Sequence, residues 1–241
     1  MRSGPRFFYL HGFASGPGSK KGVALAAHYA LQGVELQRLN LRVPSLAQLR
    51  FSTMLQVVQE AIGAPRERAE RAVLFGSSLG GLVAAHVAAA DARVAALVLL
   101  APAFELVPRW RARLGEAGWR AWQQSGWLPT LDHTTGEQAQ VDFGFIADLQ
   151  QHCSPDFPDV RVPTLIVHGR GDDVVDIAAS RRFAAGRRHV RLVEVDDGHE
   201  LTHSLATIAA EADAFLRPFL GAPQGRLAAD ENQEAARTEP R

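Results

Sequence analysis

The chain has 241 residues, 46% hydrophobic and 22% charged, a size and balance that fit one soluble globular domain. Its 26 basic and 26 acidic residues cancel, so composition offers no electrostatic case for nucleic acid or an anionic membrane as partner. A single cysteine, Cys153, excludes an internal disulfide, and no apolar run reaches the length of a membrane span or a signal-peptide core, which makes the cytoplasm the expected setting.

The first apolar run is Phe7–Leu10, which ends at His11-Gly12-Phe13. A helical pattern covers 19–32 and holds Lys20 and Lys21, the only two lysines in an arginine-rich chain, a skew read as coding bias. Residues 34–39 alternate apolar and polar and form a sixth candidate strand, and 45–62 read as a helix. Ala72–Phe75 and Val94–Leu100 are continuously apolar, as is Thr164–Val167, which suits parallel strands covered on both faces. Helical patterns over 78–90, 177–185 and 201–217 follow strand-like runs. Val190–Val195 alternates, which places it nearer a sheet edge with one wetter face. Strand and helix alternate throughout, so the expected fold is α/β: a mainly parallel sheet of about six strands with helices on both faces.

One segment interrupts the alternation. Residues 105–159 contain no apolar strand, several prolines and all four tryptophans, Trp110, Trp119, Trp122 and Trp127. An insertion of that length reads as a cap of short helices on a core made of 1–104 and 160–220. Its tryptophans either pack it onto the core or line a substrate cleft. Residues 221–241 are polar and lack aromatics, the composition of a disordered tail.

Ligands of an open parallel sheet bind beyond the carboxyl ends of the strands. The loops there carry His11-Gly12-Phe13, Gly76-Ser77-Ser78-Leu79-Gly80, His168 to Asp173 and Asp196 to His199. Gly76-x-Ser78-x-Gly80, between an apolar run and a helical pattern, matches a nucleophile elbow, in which glycines leave room for a sharp strand-to-helix turn around a strained serine. The alternative is an ordinary helix N-cap at Ser78. A serine hydroxyl needs a base, and His199 follows the last strand. The third member is a carboxylate that fixes the histidine tautomer. Asp172 is favoured over Asp173, and Asp176 is better placed to cap the following helix. Backbone N–H groups of Phe13 and Leu79 are the candidate oxyanion donors, and His11 is read as ordering its loop.

His199-Glu200-Leu201-Thr202-His203 also spells the H-E-x-x-H of zinc proteases. That motif works inside a helix, whereas Asp196-Asp197-Gly198 puts His199 on a loop, and no third ligand follows at metzincin spacing. No metal or other cofactor is therefore expected.

With these residues assembled, the chain resembles the α/β hydrolases, and within them the small bacterial esterases of the YqiA type. The resemblance rests on F8-Y9-L10-H11-G12-F13-A14-S15-G16-P17-G18-S19-K20, on G76-S77-S78-L79-G80-G81, on G171-D172-D173-V174-V175-D176 and on G198-H199. It implies a serine esterase acting on a small-molecule carboxylic ester, with Ser78, Asp172 and His199 as triad by motif position. Thioesters, amides and short peptides use the same triad, and a non-catalytic binding protein on the same fold is the rival of another class.

Overall fold

The structure is a computed structural model that describes residues 4–63, 71–153 and 157–220. The expected disordered tail, 221–241, lies outside the described residues. Six strands form the central sheet: β1 (Arg6–Leu10), β2 (Leu36–Leu39), β3 (Ala72–Ser77), β4 (Val94–Leu100), β7 (Thr164–Gly169) and β8 (Val190–Val195). Their order is β2-β1-β3-β4-β7-β8, and every neighbouring pair is parallel. The two segments whose sequence alternates are the two edges. The four continuously apolar ones lie inside, where both faces of a strand are covered.

Side chains leave each strand alternately, so two apolar clusters form. Phe8, Leu10, Leu74, Leu97, Leu99 and Ile166 join one, under α2 (Phe51–Ile62), α3 (Leu79–Ala90) and α6 (Ile177–Ala184). Phe7, Tyr9, Val73, Phe75, Val98 and Val167 join the other, under α1 (Lys20–Ala30) and α7 (Leu205–Leu216). This is the expected arrangement, with helices on both faces.

Two helices begin later than their sequence pattern. At α2, the expected start at 45 moves to Phe51, because Asp148 from the distant insertion accepts the Ser52 N–H at 2.8 Å and so caps the helix there. At α7, Asp197 accepts the N–H groups of His203 (2.9 Å) and Ser204 (3.0 Å), which holds 201–204 in turns ahead of Leu205.

The insertion is not purely helical. It consists of α4 (Leu106–Ser125), broken at Gly115, then an antiparallel hairpin of β5 (Trp127–Leu131) and β6 (Gln138–Asp142), then α5 (Gly144–His152). The hairpin strands are short, half-exposed and interrupted by Pro129, so they lack the apolar signal of the core strands. Charge pairs and hydrogen bonds dock the insertion. Arg50 binds Asp142 in bidentate fashion (2.7 and 2.9 Å), Arg42 pairs with Asp132, and the His133 N–H donates to Ala14 O (2.8 Å). Trp119 and Trp122 are buried packing residues, and the Trp122 indole donates to Val141 O on the hairpin at 3.1 Å. Trp110 is half-buried, with its ring edge-on to Phe13 at 4.8 Å, and Trp127 is exposed.

Candidate active site

The six strands of the central sheet all point the same way, so the loops at their carboxyl ends share one edge of the sheet. There the β3–α3 turn places Ser78 at φ 53°, ψ −116°, a conformation that costs a non-glycine residue about 1–3 kcal/mol. The tight turn depends on its glycines. A Cβ on Gly76 would come within 2.5 Å of Gly80 O, and one on Gly80 within 2.2 Å of Leu10 O. Neighbouring backbone holds the strain: Ser78 N–H donates to Leu100 O (2.9 Å), and Ser78 O accepts from Gly81 (2.9 Å) and Ala103 (3.0 Å). Ser78 has no side-chain capping bond, so it does not serve as an ordinary N-cap.

Ser78, His199 and Asp172, far apart in sequence, are in contact. His199 Nε2 lies 3.0 Å from Ser78 Oγ, and His199 Nδ1 lies 2.8 Å from Asp172 Oδ2. Because Nδ1 faces a carboxylate, it carries the ring proton, and Nε2 presents its lone pair to the serine hydroxyl. Ser78 stays partly exposed, whereas the Asp172 side chain is fully buried. Burial alone would raise the Asp172 pKa. Hydrogen bonds from His168, His199 and the Val175 N–H outweigh it and hold the carboxyl well below the usual carboxylate range. Asp173 is exposed, and Asp176 caps α6 by accepting the Ala178 N–H at 2.9 Å.

The first loop closes over the elbow. A Cβ on Gly12 would sit 3.3 Å from Ser78 Cβ, so the backbone that leads into Phe13 passes directly beside the serine. Leu79 opens α3, where the first N–H groups of a helix have no intrahelical partner. His11 is buried and orders this loop. Its Nδ1–H donates to Gly12 O (2.9 Å) and its Nε2 accepts the Leu41 N–H (3.0 Å), while burial lowers its pKa and keeps it neutral.

Two groups here escaped sequence reasoning. His168, at the end of β7, sits fully buried 3.1 Å from Asp172 Oδ2. Lys21 is nearly buried, and its ammonium donates to Glu200 O (2.9 Å) and His199 O (3.4 Å), tying down the loop that carries His199. Burial pulls the Lys21 pKa below its ordinary value, against the attraction of Glu200. The available signals were faint: a histidine continuing an apolar strand, and a lysine kept in a chain that otherwise uses arginine.

The H-E-x-x-H residues lie in turns ahead of α7, so His199 and His203 do not share a helical face, and both ring nitrogens of His199 are engaged. Among the described residues, no group of three or more His, Cys, Asp or Glu side chains is arranged to hold a metal ion. A cavity of about 330 Å³ runs along α3 between Leu82, His86, Phe104, Leu106, Leu149 and Phe157, and Ser78, Asp172 and His199 are not among its walls. At its rim Cys153 Sγ lies 3.0 Å from His86 Nε2. Burial raises the thiol pKa to about 11 and lowers the imidazole pKa to about 4, which favours the neutral form of each.

The fold is that of the α/β hydrolases. Alpha/beta hydrolase domain-containing protein 10 from mouse superposes with a TM-score of 0.75 at 19% identity, over 90% of this chain and 92% of that one. Est1E from Butyrivibrio proteoclasticus superposes with a TM-score of 0.72 at 22% identity, over 92% and 90%. The esterase domain of a Rhodothermus marinus protein gives 0.62 at 20% identity, over 91% and 90%. No curated protein sequence matches the chain. The model of an uncharacterised protein family, UPF0227, matches residues 6–216.

Proposed function

The chain belongs to that uncharacterised family, and from its site we propose that it is a serine hydrolase that cleaves carboxylic esters through an acyl-enzyme. The observation that carries this reading is the unbroken line of hydrogen bonds from Asp172 through His199 to a strained, accessible Ser78. A neighbour of the same fold described as an esterase domain supports the ester as substrate.

In the proposed reaction Ser78 Oγ attacks the ester carbonyl while His199 Nε2 takes its proton. The new imidazolium keeps its Nδ1–H on Asp172, whose buried negative charge offsets the positive charge formed beside it. Phe13 and Leu79 N–H groups receive the tetrahedral oxyanion, where removal of one such donor costs about 10²–10³ in rate. His199 returns the proton to the departing alcohol. Water, activated by the same imidazole, then releases the acid. Trp110, against Phe13, gives the site an aromatic wall suited to an acyl or aromatic substrate portion.

The test is a series of p-nitrophenyl esters of rising chain length, with a thioester and an anilide alongside, offered to wild type and Ser78→Ala. We expect ester cleavage by wild type and a loss of about 10³-fold or more in the variant. Ester cleavage that survives in Ser78→Ala, including a chelator-sensitive one, contradicts the reading.

A further inference from the structure

We infer that His168 is a positioning residue for this reaction: a buried N–H donor that fixes the Asp172 carboxylate and limits how strongly it draws on the His199 proton. The inference rests on the serine-hydrolase reading above.

His168 follows Ile166 by two along β7, so it leaves the sheet on the same side and points beneath α6. Its side chain is fully buried, where an imidazole is costly unless both nitrogens are paired. Both are. Nδ1 lies 2.8 Å from Ser180 Oγ on α6, and Nε2 lies 3.1 Å from Asp172 Oδ2 and 3.0 Å from Val175 O. The two partners of Nε2 are acceptors, so Nε2 carries a proton, and Nδ1 pairs with the Ser180 hydroxyl. Ser180 thereby holds the ring in the orientation that serves Asp172.

The carboxylate is then saturated. Oδ1 accepts from Val174 N–H (2.9 Å) and Val175 N–H (2.7 Å), and Oδ2 accepts from His199 and His168. Four donors in two directions leave the group no rotation that keeps its bonds. They also share its charge, so less of it falls on His199 Nδ1 than if His199 were the only side-chain donor. A purely structural role is the alternative, since His168 also bonds Val175 O within the turn after Asp172. The two roles separate through the basicity of His199. If His168 draws on the carboxylate's charge, its removal strengthens the pull of Asp172 on the imidazolium and moves the acid limb of kcat/KM to higher pH. If His168 only closes the turn, the rate falls and the limb stays. Lys21 and Glu200 lie beside His199, Asp196 and Asp197 precede it in the same loop, and all four are present in every variant.

The experiment is the pH profile of kcat/KM on a p-nitrophenyl ester for wild type, His168→Phe, His168→Gln and Ser180→Ala, with wild-type labelling by a fluorophosphonate as control. His168→Phe keeps a ring but deletes both nitrogens. We expect it to lose about 10–100-fold in kcat, with KM within about twofold and an acid limb raised by about half a pH unit or more. Ser180→Ala, a small deletion that spares the fold, should shift the limb the same way by less, and His168→Gln, which keeps an amide donor, should recover most of the rate. If His168→Phe does not fold, Ser180→Ala and His168→Gln decide. An unmoved limb in His168→Phe, or in Ser180→Ala where His168→Phe does not fold, overturns the inference even where the rate falls. A wild type that neither labels nor cleaves overturns the serine-hydrolase reading instead.

Discussion

Replacing Asp172 with asparagine tests the polarity of the whole site. The carboxylate is used entirely as an acceptor: two backbone N–H groups on one oxygen and two histidine N–H groups on the other. Asparagine keeps the shape but turns one oxygen into a double donor. With the amide NH₂ toward the histidines, His199 must present a bare Nδ1, which moves its proton to Nε2 and leaves nothing to accept from Ser78. With the NH₂ toward Val174 and Val175, donors face donors at 2.7–2.9 Å, and the turn that carries residue 172 loses both anchors. Neither flip preserves a competent base. A triad deprived of the correct tautomer loses about 10⁴ in kcat, equivalent to about 5.5 kcal/mol of transition-state stabilisation. The assay is steady-state hydrolysis of a p-nitrophenyl ester, with circular dichroism to confirm the fold. A variant that retains kcat within about tenfold of wild type refutes the assignment of Asp172 as the residue that orients His199.

The same carboxylate predicts an acid sensitivity. Its folded pKa lies below the ordinary 3.8, so its stabilisation is complete above that value and is lost as pH falls below it toward the folded value. The wild-type melting temperature should therefore drop more steeply than that of Asp172→Asn between about pH 4 and pH 2, and parallel curves would show that the carboxylate gains nothing on folding. Gly80→Ala should destroy the elbow, because its Cβ meets Leu10 O at 2.2 Å and neither β1 nor α3 can withdraw. We expect a melting temperature lowered by several degrees or no soluble protein, and a wild-type melt would disprove the close contact. Lys21→Met removes the donors to His199 O and Glu200 O, so kcat should fall about tenfold with little change in KM. An unchanged kcat would show that this loop holds His199 without help.

Much of the architecture is legible from pattern. Continuous apolarity marks β1, β3, β4 and β7 as interior strands, and alternation marks β2 and β8 as the edges, because strand burial on both faces leaves no polar side to display. The elbow is legible for a related reason: glycines and serines abruptly follow the continuously apolar Ala72–Phe75, and the His199 loop shows where Asp196-Asp197-Gly198 breaks the alternation of Val190–Val195. What stays hidden depends on partners distant in sequence. The start of α2 is set by Asp148, 96 residues from Ser52. The β5–β6 hairpin has half-exposed strands and a proline, so its local signal is weak, and it persists through Arg42, Arg50 and Trp122. His168 resembles one more strand residue, and Lys21 resembles a solvated helix charge. Their contacts with Asp172 and with the His199 loop exist only once the chain is folded.

The central claim is that the hydroxyl of Ser78 is a nucleophile activated by His199, and covalent trapping tests it most directly. Wild-type protein treated with a fluorophosphonate and examined by peptide mass spectrometry should carry one phosphonyl group, on Ser78. Ser78→Ala should carry none, and His199→Ala should react at least about 10²-fold more slowly. Adduct formation on another residue, or labelling of Ser78 at an undiminished rate without His199, would contradict the account.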